Sequence, residues 1–370
     1  MFPYFFLLSA SFLFCFIGKQ RKNNVFGAGI NSFTAENNLG VAAFFLLLFL
    51  MLALRSVTVG RDIIKYKRFF TRSVYEPFSQ VVSGTSEVLY WLLMWVFGKI
   101  SKEFHVFLAF LALISTYPIY RLYNQDRRHS FLKILLFLNS SLFVMLFSGL
   151  RQSVAIAVGA IAFHFVKKKR PILFIVSVLV AMGFHSSAFI LFPMYPLFYF
   201  RLKRKHLYII VPLVVVCFIF NGSIFQLLLG FLSSLGSRFE LLSYSSSGAY
   251  TSLILYVLFA LFSYIVPDEE KTGNEFIGLR NFLLLAVLLQ CFTPIHGLAM
   301  RMNYYYILFI PVAVPMAFNH PLEKWKNVAQ WANVIMCVFF TVYFIYTFVS
   351  TAPTGGALDT IPYIPFWQGA

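Results

Sequence analysis

Gly149-Leu150-Arg151-Gln152, an apolar run, Lys167-Lys168-Lys169-Arg170, a second apolar run, and Phe184-His185-Ser186-Ser187-Ala188 form the stretch that decides the fold. An arginine and a histidine stand at the same ends of two neighbouring apolar segments, and a dense basic knot stands at their opposite ends. Lys/Arg-rich joints between membrane spans stay in the cytoplasm. The stretch therefore reads as two crossings joined on the inside, with Arg151 and His185 together on the outside.

The rest of the composition agrees. Of 370 residues, 60% are hydrophobic, 19% aromatic and only 12% charged. Soluble domains carry about 25% charged residues, and many segments here are apolar all round, as a lipid-facing helix must be. The fold class is an all-α polytopic membrane protein. The formal charge of +17 is scattered in short clusters between apolar runs, the distribution of topology signals rather than of a nucleic-acid surface. Anionic lipid headgroups or an anionic lipid-linked substrate suit that excess. Cys15, Cys217, Cys291 and Cys337 fall in or beside apolar runs without ligand spacing, so they read as small packing residues. Met1-Phe2-Pro3-Tyr4 has no basic leader before its apolar run, so the first span is expected to stay in place.

A span needs roughly 20 apolar residues. Residues 1–18 and 39–54 qualify, joined on the inside by Lys19, Arg21 and Lys22, so Arg55 emerges outside. Residues 55–86 read as a polar outer loop, crowded with Arg55, Arg61, Lys65, Lys67, Arg68 and Arg72. A basic cluster on the outer side needs a reason, and binding an anion is the natural one. The run 87–100 is too short to cross and reads as one re-entrant or interfacial helix on the outer side. Counting it as a full span would put Lys19–Lys22 or Arg121–Arg128 on the wrong face. Crossings are expected at 104–120, 131–148, 152–166, 171–184, 188–200, 207–221, 250–266, 281–296, 303–318 and 331–350. With the first two they make about twelve, in one integral domain over 1–370 with outer loops 55–86 and 222–249 and an outer tail 351–370.

This topology turns Arg55, Arg61, Asp62, Arg151, His185, Arg238, Tyr244, His296 and Arg301 outward, and Glu87 opens the short helix. Ionisable residues at the edges of membrane helices are functional suspects by default. Guanidinium groups grip phosphate oxygens bidentately and keep their charge. Arg151 also stands where a helix begins and its first-turn donors favour an anion. Neutral imidazole at His185 accepts a proton from a sugar hydroxyl. Asp62 is a second candidate base, with Tyr66 at i+4 on its face. Each has an ordinary alternative: a snorkelling arginine, a histidine bonded between helices, a helix-capping aspartate. For Arg301 that alternative is an aromatic-belt anchor beside Tyr304-Tyr305-Tyr306. His164 and His296 read as structural, and Lys65, Lys67, Arg68 and Arg72 as a solvated or headgroup-facing surface. No two outer His, Asp or Glu residues have metal-ligand spacing, so no metal is expected.

The ordered set resembles the EpsG/Wzy-like polysaccharide polymerases. It comprises Arg55 with Val59-Gly60-Arg61-Asp62 and Tyr66, Glu87 with Tyr90, Gly149-Leu150-Arg151-Gln152-Ser153-Val154-Ala155, Phe184-His185-Ser186-Ser187-Ala188, Arg238-Phe239 with Tyr244, and Arg301 with Tyr304–Tyr306 and Pro311. It departs at Gly60-Arg61-Asp62, where the family more often has a small polar residue before the aspartate. The resemblance implies a bacterial inner-membrane O-antigen or capsule polymerase working on the outer face. Such an enzyme moves a growing glycan from undecaprenyl diphosphate to a newly flipped lipid-linked repeat unit, without nucleotide sugar or cofactor. His185 and Asp62 would be catalytic, and Arg151, Arg55, Arg61, Arg238, Arg301, Tyr244 and Glu87 would bind diphosphate and sugar. Partners would be undecaprenyl-diphosphate-linked oligosaccharides, membrane lipid, a flippase and a chain-length regulator. The competing readings are a flippase for lipid-linked oligosaccharide, which needs a site near the bilayer midplane, and a membrane acyltransferase acting on surface glycan.

Overall fold

Backbone groups in lipid must bond within their own segment, and this chain does so with helices. The computed structural model describes residues 1–20, 39–83, 86–234, 248–266, 274–319 and 326–368. In chain order the helices are α1 (Phe2–Gln20), α2 (Leu39–Leu54), α3 (Ile63–Tyr75), α4 (Phe78–Val81), α5 (Val88–Ile100), α6 (Phe104–Tyr123), α7 (Ser130–Leu138), α8 (Ser141–Met145), α9 (Leu150–Lys167), α10 (Pro171–Phe184), α11 (Met194–Tyr199), α12 (Leu207–Ile219), α13 (Asn221–Ser234), α14 (Gly248–Ser263), α15 (Asn274–Gln290), α16 (Gly297–Ile307), α17 (Ile310–Ala317) and α18 (Lys326–Thr351). Among the described residues no strand forms, and an isolated antiparallel bridge pairs Arg55 with Pro365.

The chain is an all-helical membrane protein. Helices α6, α9 and α18 are long and apolar enough to cross a bilayer, and α12 with α13, bent by 85°, adds a fourth if the pair is one broken span. Helices α2, α5, α10 and α14 are apolar but shorter, as is the Phe2–Ile17 part of α1. Length alone therefore accounts for three or four of the expected crossings. Two of the others are not continuous helices. The stretch 131–148 breaks between α7 and α8, where the Asn139 side chain donates to Leu135 O at 2.8 Å and Phe340 O at 2.9 Å and Ser140 turns extended. The stretch 188–200 folds as a 3₁₀ segment (Ser186–Leu191) and the six-residue α11. Pro193 and Pro196 lie within it, and proline lacks the N–H that a continuing helix requires.

The loop expected over 55–86 contains α3 and α4. The one expected over 222–249 opens with α13, and its residues 235–247, with Arg238 and Tyr244, lie outside the described residues. The chain divides into two compact units, Met1–Phe189 with Glu323–Ala370, and Ile190–Leu322.

In the first unit α9 packs along α10 and α6, and α2 along α1 and α6. Helix α10 exposes Ile172, Ile175, Val176 and Leu179, and α18 exposes Val338, Val342, Ile345 and Val349. That three-to-four spacing makes an outward apolar stripe on each, the surface a lipid-facing helix needs. Helix α3 is the exception in composition. Its Ile63, Tyr66, Phe70 and Val74 are buried against Tyr90 and Met94 of α5, Phe107 and Leu111 of α6, and Leu150 and Val154 of α9. Its basic residues remain outside that core. In the second unit, buried Arg280 donates to Leu202 O at 2.6 Å and lies 4.0 Å from the centre of the Tyr264 ring. The Asn281 amide reaches Leu197 O and Phe200 O, so α15 supplies the donors that the end of α11 lacks.

Candidate active site around Glu87

Three chain turns meet at Glu87. It precedes α5 but makes no side-chain cap on that helix. Its carboxylate instead reaches across to the start of α9 and the end of α10. One oxygen, Oε1, lies 3.0 Å from His185 Nδ1 and 3.3 Å from the Ser186 N–H. The other, Oε2, accepts from Arg151 Nη1. Arg151 Nε reaches the Tyr66 hydroxyl at 3.3 Å, with the guanidinium over the Tyr66 ring.

Close packing allows the meeting. Gly183, two residues before His185, lies on Leu89, two residues after Glu87. A methyl at Gly183 would come within 2.5 Å of Leu89 Cδ1. The helix then ends because His185 is extended (φ −154°, ψ 123°), which turns its ring back toward α5. Beneath the cluster, Tyr66 meets Tyr90 edge-on at 5.9 Å, and Gln152 donates to Ser187 Oγ at 3.4 Å.

The electrostatics follow from this layout. Burial raises the Glu87 carboxyl, but the His185 hydrogen bond and charge, the Arg151 charge and the Ser186 N–H outweigh it, and the net direction is downward. Glu87 is therefore a carboxylate at neutral pH. A carboxylate only accepts, so the His185 nitrogen facing it carries the proton. The Ser187 N–H also points at Nδ1, at 3.5 Å, but one nitrogen cannot donate and accept at once. The 3.0 Å contact to a charged acceptor decides the tautomer, and Nε2 is left as the basic nitrogen. Arg151 is the open member, 34% exposed against 8% for Glu87 and 12% for His185.

Asp62 stands on the adjoining loop at the start of α3. It occupies the cap position without making a cap bond. Its Oδ2 accepts instead from Ser148 Oγ at 3.0 Å, and its N–H lies 3.3 Å from the same oxygen. The loop is shaped by Gly60, whose φ of +105° disfavours any side chain and where a methyl would come 1.9 Å from Phe147 O. The C-terminal tail straps it down. Gly60 and Arg61 N–H groups donate to Asp359 O and Leu358 O, both at 2.9 Å, Ser56 N–H to Ile364 O at 2.7 Å, and Phe366 N–H to Leu54 O at 2.8 Å.

The arginines of this loop are used within the chain. Arg61 pairs with Asp359 at 3.1 Å in the open. Arg55 is buried, its Nη1 3.4 Å from Leu146 O and its guanidinium over the Phe147 ring. Burial lowers Arg55 to about 9, against the opposing pull of Tyr4 and Tyr363, and it remains charged at neutral pH. Tyr363 donates to Met51 O at 3.0 Å, so it is committed to holding the tail, while Trp367 is exposed.

The structure thus brings Arg151, His185 and Glu87 into contact and holds Asp62 on Ser148, three residues before Arg151. Arg301 is exposed on α16 and belongs to the second unit, as does His296, whose Nδ1 accepts from the Leu298 N–H at 3.0 Å and caps α16. His164 is exposed at the far end of α9. Two participants escape the sequence reading: Ser148 is a small residue just before the Arg151 segment, and the Ser186 donor is a backbone group. Tyr66, which by spacing shares a face with Asp62, accepts from Arg151. Among the described residues no three His, Cys, Asp or Glu side chains stand where they could share a metal ion.

Comparison with known proteins bears on the same segments. No curated protein and no solved structure matches the chain. The model of the EpsG family matches residues 39–365, a stretch that runs from α2 through every residue of this site to the tail. The chain belongs to the EpsG family, whose members are membrane proteins of the polysaccharide-polymerase type.

Proposed function

We propose that the chain is a surface-polysaccharide polymerase. It transfers a growing glycan from undecaprenyl diphosphate to a new lipid-linked repeat unit, on the outer face of the bacterial inner membrane. The observation that carries this reading is the Glu87 carboxylate shared between His185 Nδ1 and Arg151. It leaves a basic nitrogen and a partly exposed cation side by side.

In the proposed reaction the acceptor hydroxyl gives its proton to His185 Nε2 as its oxygen attacks the anomeric carbon of the donor glycan. The bond from that carbon to the diphosphate oxygen breaks, and the electron pair leaves on the lipid diphosphate. Glu87 holds the imidazole in the required tautomer and stabilises the imidazolium that forms, the role a buried carboxylate plays behind a histidine base. Arg151 faces the leaving oxygens, where charge develops. Asp62 orients the sugar or serves as a second acceptor of protons. Arg55 and Arg61 act through the loop and tail that carry Asp62. About twelve crossings, with Arg151 and His185 outside, complete the proposal.

A strain lacking the gene tests it. It should display single-unit glycan on the outer surface and regain long chains when complemented. Loss of the outward-facing single unit would instead identify a flippase, and unchanged chain length would contradict the proposal.

A further inference from the structure

The turn-by-turn spacing of α3 leaves a second face that the site does not use. Ile64, Lys67, Arg68, Thr71, Arg72 and Tyr75 stand at i, i+3, i+4, i+7, i+8 and i+11, a single stripe on a helix. All six are exposed, and with Val57 they line an open groove of about 600 Å³. The groove has apolar ends, Ile64 and Tyr75, 45% and 75% exposed, and cations between them. Helix α3 itself contains no acidic residue. Arg72 shares its charge with Glu76 at 2.6 Å. Among the described residues Lys67 and Arg68 have no ion-pair partner. An amphiphile with a multiply charged anionic head fits this pattern, its head on the cations and its chain along the apolar ends.

The buried face of the same helix carries Tyr66, which holds Arg151. Arg151 in turn shares its charge with Glu87 and, in the proposed reaction, faces the donor's leaving oxygens, so the second diphosphate, that of the acceptor lipid, needs cations elsewhere. The two faces divide the work. We infer that the Lys67–Arg68–Arg72 groove is the binding site for the diphosphate head of the acceptor prenyl lipid, distinct from the Glu87 cluster, where the donor's diphosphate leaves. The inference rests on the proposed transferase reading for the choice of diphosphate over a bilayer phospholipid. The cations at Lys67 and Arg68 supply most of the attraction, since Arg72 is half engaged.

Equilibrium binding of farnesyl diphosphate to the purified full-length chain in neutral detergent tests this. Farnesol, inorganic diphosphate and phosphatidylglycerol serve as competitors. Both test positions are exposed, so the Lys67→Gln/Arg68→Gln double variant keeps the core intact. It should bind farnesyl diphosphate at least tenfold more weakly, while Lys65→Gln, off the groove, should match the wild type. Farnesol and phosphatidylglycerol should compete at least tenfold less well than farnesyl diphosphate, and inorganic diphosphate should compete measurably. Unchanged affinity in the double variant, or equal competition by phosphatidylglycerol, overturns the groove and leaves the polymerase reading standing. A wild-type chain with no affinity for prenyl diphosphate overturns both.

Discussion

Glu87 carries the most consequence of any single residue. Its carboxyl lies below the ordinary carboxylate value because His185, Arg151 and the Ser186 N–H favour the charged form more than burial opposes it. A depressed folded-state pKa stabilises the fold above the unfolded value and loses that contribution as pH falls through the folded one. Melting temperature of the detergent-solubilised chain should therefore fall below the carboxylate range, and Glu87→Gln should remove that part of the acid response. At neutral pH the same variant should cost about 2 kcal/mol, less than the roughly 3–5 kcal/mol of a fully buried pair because Arg151 is partly solvated. Gly60 makes a second residue-scale prediction. Its positive φ and its contact with Phe147 O leave no room for a methyl, and Gly60→Ala should destabilise by roughly 3 kcal/mol, read as a lowered melting temperature. Of the candidate residues, Arg151 and His185 were legible because charge at the ends of apolar runs is rare and topology puts both on one side. Glu87 was legible as a carboxylate but not as the group that joins them. That role depends on Gly183 letting α10 approach Leu89, a packing event that no spacing along the chain encodes. The burial of Arg55 was not legible for a related reason, since the tail that pairs with it lies far along the sequence.

At the scale of elements, the C-terminal tail and the loop before α3 form one structure. The strap consists of backbone hydrogen bonds from Ser56, Gly60, Arg61 and Phe366 together with the Tyr363 and Tyr4 hydroxyls, the latter donating to Thr360 O at 2.6 Å. The Arg61–Asp359 ion pair is half exposed on both sides, and such pairs contribute about 1 kcal/mol or less. Asp359→Asn should accordingly leave the melting temperature nearly unchanged. Truncation after Thr351 removes the backbone bonds and uncovers Arg55, and should lower stability and glycan length together. Helix α3 was half legible. The i,i+4 spacing of Asp62 and Tyr66 and the basic cluster could be read, but four basic residues concealed an amphipathic period that buries Ile63, Tyr66, Phe70 and Val74. The helices that matched their expected limits, α2, α5 and α10, are those bounded by charge or by proline. Those that broke, at Asn139-Ser140 and at Pro193 and Pro196, lie in runs where hydropathy is continuous but the backbone is not. A side chain competing for carbonyls or a missing N–H interrupts a helix without changing its mean hydropathy.

Contacts within the first unit already unite the 55–62 loop, Glu87, Arg151, His185 and the tail. They also set Lys167 beside Gln125, at 2.9 Å, at the other end of α9. On the proposed topology a membrane-impermeant thiol reagent applied to intact cells should label Tyr75→Cys and Trp367→Cys, both exposed, and spare Lys168→Cys. The reverse pattern would turn the site inward and remove the reason for an outer-face polymerase. The chemistry is tested most directly by the glycan length profile of a deletion strain carrying His185→Ala at wild-type protein level, beside the wild-type gene. A positioned general base contributes about 10²- to 10⁴-fold. Glycan confined to about one repeat unit is expected on that ground, with the protein still folded and inserted. Long chains of normal distribution from the His185→Ala strain would contradict that expectation.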